Sequence, residues 1–202
     1  GYLSRLVQKG YKVAIAEQME DPKQAKGLVK REVIRVVTPG TLTNSQVLEE
    51  SKNNYLMGIV YIDGVFGVST VDVSTGDYLV TEVRNERSLL DEIYKFSPSE
   101  LICNEAFYMS GIDLEDLKVR LNAVISALEN RFFSDDSCRR ILREHFHVEH
   151  LEALGLADYE TGAIAAGAVL QYLYETQKNT LEHLTRLTVY TTGQFMMLDT
   201  ST

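Results

Sequence analysis

Acidic side chains are the first candidates for chemistry in this sequence, because carboxylates can hold the divalent metal ions that drive hydrolysis. A two-metal site requires several carboxylates gathered at one place. Asp63 and Asp77 each lie beside a turn glycine, where aspartate is ordinary turn chemistry. Asp72 is the only candidate that we expect within a strand, and Glu92 is expected at an exposed helical position. The pattern therefore gives little support to a two-metal site.

A second candidate is the histidine cluster in REHFHVEH, residues 143–150. His147 and His150 are three residues apart and Glu149 follows His145 by four, so a helix could bring pairs of them together. Zinc sites need three or four ligands, and no second cluster lies near in sequence. Histidines near a helix C-terminus also interact favourably with the helix dipole. We therefore predict no metal site.

Other catalytic signatures are missing from the sequence. It contains no phosphate-binding loop of the form GxxxxGK[ST] and no recognisable nucleophile motif. Cys103 and Cys138 lie far apart, so we expect free, buried thiols in a reducing cytoplasm. No apolar run approaches the roughly 18 residues that span a bilayer. We expect no enzymatic activity, no cofactor bound by this stretch and no membrane partner.

Charge is distributed unevenly along the chain. Residues 1–40 carry eight basic and four acidic side chains, a net charge of +4. Because the net charge of the whole chain is −9, residues 41–202 carry a net charge of −13. The acidic part should repel nucleic acid and suits a surface that faces protein. The basic part could contact phosphates without reading sequence, or could be a solvated loop. The candidate DNA-proximal residues are Lys23, Lys26, Lys30, Arg31 and Arg35.

The hydrophobic pattern predicts alternating helices and strands, which is typical of a mixed α/β fold. Pro39-Gly40 marks the end of a first unit, and the Asp63-Gly64 turn opens an antiparallel meander of three strands. An alanine-rich helix that begins at Asp158 is either a domain-interface helix or a core helix. The other helices are predicted at 2–9, 86–96, 113–121 and 134–145. Gly10 should stop the first, and Ser134 should cap the last. In the helix at 86–96 the residues expected to face inward are Leu89, Leu90, Ile93 and Tyr94. The strands are predicted at 12–17, 32–37, 55–62, 65–73, 78–83, 100–103 and 123–127.

Two stretches near the ends of the chain resemble one family. VAIAEQMEDP, a basic loop and REVIRVVTPGT occupy residues 13–41, and MMLDTST closes the chain at 196–202. This order resembles the MutS family of bacterial DNA mismatch repair ATPases. The resemblance implies a ribonuclease H-like α/β connector domain with a mixed sheet at 54–150. Before it lie the C-terminal part of the mismatch-binding domain, 1–40, and a linker, 41–53, with one helical turn at 46–50. After it, 151–202 begins the helical core (lever) domain.

The resemblance also implies a function. The complete protein would be a cytoplasmic homodimer that binds mismatched duplex DNA and signals through ATP and Mg²⁺. This chain holds no Phe-x-Glu, the tripeptide that reads mismatches in the family. We therefore expect a coupling and partner-interaction region whose connector binds a MutL-type repair protein. Candidate contacts are Arg139, Arg140 and Arg143. Two alternatives remain, a metal-dependent ribonuclease H-like nuclease and a free-standing scaffold domain.

Overall fold

The computed structural model describes residues 2–18, 31–42, 53–177 and 181–192. Helix α1, Tyr2–Gln8, is followed by Gly10, whose φ of 96° allows the chain to leave the helix. Strand β1, Val13–Gln18, then pairs antiparallel with β2, Arg31–Val37. We call α1, β1 and β2 the two-stranded unit. Its three elements confirm the sequence predictions to within one residue.

Two predictions lie outside the described residues. They are the helical turn at 46–50 in the linker and the start of the helical core domain that the resemblance assigns to MMLDTST, 196–202.

A six-stranded mixed sheet organises the remainder of the described chain. Its spatial order is β7-β6-β3-β4-β5-β8. The meander β3-β4-β5 is antiparallel, while β6 and β7 run parallel to β3 and β8 runs parallel to β5. Asp63 and Gly64 join β3 to β4 with φ values of 48° and 79°, as predicted for a tight hairpin turn. The strands are β3, Leu56–Ile62; β4, Val65–Val71; β5, Tyr78–Val83; β6, Glu100–Cys103; β7, Val124–Ala127; and β8, Thr188–Val189.

Helices cover both faces of this sheet, so that it has two apolar cores. On one face, Met57, Ile59 and Val68 pack against Leu89 and Leu117. On the other face, inward residues of β3, β4 and β5 pack against the last two helices. The helices are α2, Glu86–Phe96; α3, Glu105–Tyr108; α4, Leu114–Leu121; α5, Asp135–Phe146; and α6, Glu160–Gln177. None of the described helices is long and apolar enough to cross a membrane.

Helix α6 is the central helix of the second core. Most of its 18 residues are buried, including Ala163, Ala165, Ala166 and Ala168. Small side chains let a helix approach a sheet closely, so the alanine content serves packing within this core. The contacts support both interpretations left open by the sequence, because most of α6 packs in this core and α6 also contacts β2 of the two-stranded unit.

The predicted boundary after residue 150 has to be moved. Helix α6 lies on β3, β4 and β5, and the backbone N–H of Tyr190, just after β8, donates to the Val80 carbonyl at 3.0 Å. The packed unit therefore runs from about residue 54 to Tyr190, and we call it the sheet unit. A two-residue strand that pairs with a partner more than 100 residues away carries no local pattern that could predict it.

The predicted inward position of Tyr94 was wrong, and the predicted cap of α5 is confirmed in position but not in its hydrogen bond. Tyr94 is 41% exposed because Glu92 and Ile93 take the inward positions of α2. Ser134 does occupy the N-cap position of α5, but its side chain makes no capping hydrogen bond. Helix α3 was not predicted at all, since four residues are too few to show a helical period.

The two glycines of α6 should differ in their tolerance of alanine. A Cβ at Gly167 would lie 2.6 Å from the Cα of Cys138, whereas one at Gly162 would meet side-chain atoms, with a methyl group of Val80 nearest at 2.9 Å. Backbone cannot yield as a methyl group can. We expect Gly167→Ala to lower the free energy of unfolding by about 1–2 kcal/mol after the helix-propensity gain, and Gly162→Ala to change it by less than about 1 kcal/mol. Urea denaturation followed by circular dichroism measures both, and equal effects would contradict the packing described.

The two cysteines should be unreactive in the folded chain. Both are free and buried, as predicted, and burial raises the pKa of each thiol to about 12. Because the thiolate is the reacting form, we expect no reaction with Ellman's reagent at pH 8 and release of two equivalents in urea. Val119→Cys on exposed α4 is the control and should add one fast equivalent. Fast reaction of the unsubstituted chain would mean that its core opens readily.

Candidate functional site

A buried carboxylate joins the two-stranded unit to the sheet unit. Glu100, the first residue of β6, is 0% exposed. Its Oε1 accepts a hydrogen bond from the backbone N–H of Gly40 at 2.8 Å, and its Oε2 accepts one from the Tyr172 hydroxyl of α6. We call these three residues the Glu100 junction. The Glu100 side chain thereby links β6, on which it lies, to the end of the two-stranded unit and to α6.

The segment held at the junction is a tight buried turn, Thr38–Thr41. The backbone N–H of Thr38 donates to Oγ1 of Thr41 at 2.9 Å, and the N–H of Thr41 donates to the Thr38 carbonyl at 3.1 Å. From the sheet unit, Nδ2 of Asn54 donates to the carbonyls of Pro39 and Leu42 at 2.9 and 3.1 Å. The turn is therefore bonded both to itself and to its neighbour.

The turn and the sheet approach each other so closely that only glycine fits between them. A Cβ at Gly40 would lie 2.9 Å from the Cβ atoms of both Glu100 and Leu56. The hydroxyl of Ser99 also donates to the Pro39 carbonyl at 3.0 Å. Pro39-Gly40, which the sequence marks as the end of a unit, is thus the contact between two units.

Burial keeps the donors of this junction protonated. It raises the pKa of the Tyr172 hydroxyl, and the Glu100 charge raises it further. The phenol therefore stays protonated, and remains a donor, at neutral pH. Within the described residues, both oxygens of Glu100 are bonded to neutral donors rather than to a cation. Such bonds are directional, and a buried acceptor that loses its donor is costly.

A second buried carboxylate, that of Glu92 in α2, contacts the segment that follows β8. Glu92, predicted to be exposed, is in fact 2% exposed because two donors satisfy it inside the fold. Nζ of Lys95 lies 2.8 Å from its Oε2, and the Tyr190 hydroxyl donates to the same oxygen at 3.2 Å. Oγ1 of Thr81 donates to the Tyr190 carbonyl at 2.7 Å. These bonds fix the segment after β8 on the edge of the sheet.

The remaining acidic candidates do not converge. Asp63 precedes the seven residues of β4 and Asp72 follows them, so at roughly 3.3 Å per residue the two lie about 20 Å or more apart. Asp72 is not within the strand as predicted. It closes the next turn, where Oδ1 accepts from the N–H of Ser74 at 2.9 Å, Oδ2 accepts from that of Asn54 at 3.2 Å, and its own N–H donates to the Asp77 carbonyl. This geometry does not favour a nuclease.

The histidines of residues 143–150 make structural contacts or lie at the ends of helical segments. Nδ1 of His145 lies 2.6 Å from the Tyr174 hydroxyl, and its Nε2 lies 2.7 Å from the Leu184 carbonyl, so both ring nitrogens are engaged. His147 ends α5 in a left-handed conformation, and His150 precedes a short 3-10 turn. The part of the chain that the structure describes holds no group of three or more His, Cys, Asp or Glu residues able to bind a metal ion.

The candidate DNA-proximal residues are only partly described. Lys23, Lys26 and Lys30 lie outside the described residues, and of Arg31 only the backbone, in β2, is described. Arg35 is half-buried, and its Nη2 donates to the Thr41 carbonyl at 3.4 Å. Its Nε is buried without a partner among the described atoms, and burial lowers the pKa of the guanidinium. Arg35 therefore faces the Thr38–Thr41 turn.

The candidate partner-binding residues lie on α5, whose Cys138 and Leu142 face the core. Arg140 is exposed and Arg143, one turn later, is half-buried. Arg139 pairs within its own helix, with Nε at 2.9 Å from Oδ1 of Asp135. Arg140 and Arg143 are thus the two arginines of the set that remain available to a partner.

Sequence reasoning missed the Glu100 junction. The available signals were a glutamate that opens the otherwise apolar strand ELIC and a tyrosine within an alanine-rich helix. Neither signal says that Gly40, 60 residues earlier, supplies the other donor.

Comparisons with known proteins divide the chain at the same place. The family model described as MutS domain I matches residues 1–46, and the one described as MutS domain II matches residues 54–185. The Glu100 junction therefore joins the two matched stretches. The second match also runs beyond the predicted boundary at 150.

Named relatives match over the whole chain. The DNA mismatch repair protein MutS of Lachnoclostridium phytofermentans is 57% identical over 201 residues, which cover 100% of this chain and 22% of that protein. The proteins of the same name from Protochlamydia amoebophila and Acetivibrio thermocellus are 41% and 44% identical, again over 100% of this chain and over 24% and 23% of their own lengths. The chain thus spans less than a quarter of the length of these relatives.

Proposed function

Because the chain belongs to the MutS family of DNA mismatch repair proteins, we propose that it is the part of such a protein that couples the mismatch-binding domain to the rest of the protein. The observation that carries this proposal is the Glu100 junction. A buried, directional contact between two domains transmits a change of orientation, whereas a flexible linker would absorb it. A free-standing scaffold domain unrelated to repair is not favoured, since relatives with a repair name match the whole chain.

The sheet unit has the strand arrangement of a ribonuclease H-like connector domain in this proposal. The order β5-β4-β3-β6-β7, with three antiparallel strands followed by two parallel ones, supports that assignment. Fold alone does not imply nuclease chemistry. The helical core domain would then begin after Tyr190, and residues 1–40 would complete the mismatch-binding domain.

Catalysis would belong to other parts of the complete protein. Asp72, Glu92 and Glu100 are used in a turn and in buried contacts, so these three carboxylates do not favour a Mg²⁺ and ATP site. The family resemblance supplies the rest of the proposal, a cytoplasmic homodimer that binds mismatched DNA and signals through ATP. Within it, this chain positions its neighbouring domains and offers a surface to a partner.

The proposed partner is a MutL-type repair protein that contacts the sheet unit. Residues 41–202 carry a net charge of −13, and α5 presents Arg140 and Arg143 on this acidic background. Arginine is a favoured anchor in interfaces, and an isolated basic pair on an acidic surface gives a partner an orientation.

Reversal of the two α5 arginines should weaken partner binding. We expect Arg140→Glu with Arg143→Glu to raise the Kd for an immobilised MutL-type protein at least about tenfold, since a lost arginine anchor commonly costs more than 1 kcal/mol. The matched control is Lys118→Glu with Arg120→Glu, which makes the same charge change on exposed α4. Biolayer interferometry measures the Kd, and circular dichroism checks the fold. Equal losses in both double variants would remove α5 from the interface.

The chain by itself should bind DNA without regard to mismatches. It holds no Phe-x-Glu, and an apolar or aromatic wedge is what unstacks a base step for a minor-groove binder. Its basic side chains would contact phosphates, and the net negative charge of residues 41–202 would oppose that binding. We expect weak binding, equal affinity for G·T and homoduplex DNA, and a steep loss with salt in fluorescence anisotropy. A clear preference for the G·T duplex would contradict this prediction.

A further inference from the structure

The contacts between the two-stranded unit and the sheet unit are of two unequal kinds. At the Thr38–Thr41 turn they are buried and bonded, through Glu100 and Asn54. Away from the turn, β2 contacts α6 and Nζ of Lys12 lies 5.6 Å from the centre of the Tyr172 ring, while the other polar contacts are peripheral. Nζ of Lys12 lies 3.5 Å from Oγ of Ser126 in an exposed contact, and Gly10 lies near Val124. Exposed contacts of this kind contribute little, so the turn carries the orientation.

We infer that Glu100 is a positioning residue, whose carboxylate sets the orientation of the two-stranded unit on the sheet by holding Gly40 and Tyr172 at the same time. This inference rests on the proposed coupling function, and it names the side chain through which the coupling passes. Asn54 and Ser99 bond the turn from the sheet side alone. Glu100 bonds the Gly40 N–H of the turn and the Tyr172 hydroxyl of α6 together, and the Thr38 side chain also hydrogen-bonds that hydroxyl.

A carboxylate suits this position because it is an acceptor on both of its oxygens. The Gly40 N–H approaches one oxygen and the Tyr172 hydroxyl approaches the other, so both buried donors are satisfied. Glutamine would turn an NH₂ group toward one of them, and alanine would remove the carboxylate acceptor of both. Tyr172→Phe removes one donor only and keeps the aromatic ring, which lies 5.6 Å from Nζ of Lys12.

Spin-label distances in the whole chain test the inference. Labels at Tyr11→Cys in the two-stranded unit and Arg87→Cys at the start of α2 report on the two units, and both positions are exposed. Gly10 lies at β7 and α2 follows β5, so the labels are separated by four strand spacings, roughly 20 Å. The native cysteines are both buried, which directs the label to the introduced thiols.

We expect a narrow distance distribution in the labelled parent chain and a distribution about twice as broad or more in both variants. Tyr172→Phe removes the hydroxyl that holds the Glu100 carboxylate and that Thr38 of the turn bonds, and Glu100→Ala removes the acceptor of the Gly40 N–H. Tyr174→Phe is the matched control. It lies on the same helix and removes a hydroxyl that contacts His145 of α5, so its distribution should stay narrow. Because Glu100→Ala strands two buried donors and risks unfolding the chain, Tyr172→Phe is the deciding variant.

Hydrogen exchange separates positioning from general stability. In Tyr172→Phe the Gly40 amide should lose protection roughly 10- to 100-fold, while amides of β3 and β4 keep theirs. Unchanged width and unchanged Gly40 exchange would overturn the inference, and so would equal loosening of the whole sheet or of the Tyr174→Phe control. Neither readout involves a partner or α5 arginines, so failure here is distinct from failure of the proposed partner binding.

Discussion

The close approach of α6 to the six-stranded sheet is the constraint on which the other features depend. Alanine and glycine on the helix lose little or no side-chain entropy on burial and let the backbone come near the strands. That proximity places the Tyr172 hydroxyl over Glu100 and brings α5 onto α6 at Gly167. With a bulkier helix, the two cores could still be apolar, but the hydroxyl would not reach the carboxylate.

Two buried carboxylates of the sheet unit, those of Glu100 and Glu92, are held by the same kind of contact. Each accepts a hydrogen bond from a tyrosine whose pKa is raised by its burial and by the carboxylate charge. Glu100 acts where the chain arrives from the two-stranded unit, and Glu92 acts where it departs after β8. Buried polar contacts add modestly to net stability, because desolvation opposes them, but they fix geometry. A module that relays orientation between neighbours needs that fixed geometry more than it needs extra stability.

The sequence predicts local structure well here and long-range structure poorly. Asp63-Gly64, the helix at 86–96 and the strand at 100–103 follow from turn chemistry and periodicity within a few residues. The inward position of Glu92 depends on Tyr190, 98 residues later, and no local pattern contains that information. The same holds for the Glu100 junction, since its partners come from 60 residues before and 72 residues after it. The family resemblance located the two units but not the bond between them.

The pairing of β5 with β8 has a consequence for biosynthesis. Oγ1 of Thr81 donates to the carbonyl of Tyr190, which is synthesised 109 residues later. At translation rates of roughly 5–20 residues per second, the outer edge of β5 stays without its neighbour for about 5–20 seconds on the ribosome. An unpaired edge is a template for association with other nascent chains. The meander can form early, yet the sheet is closed on that side only when β8 emerges, after the other five strands of the sheet, so a ribosome-bound intermediate with one open edge is built into the topology.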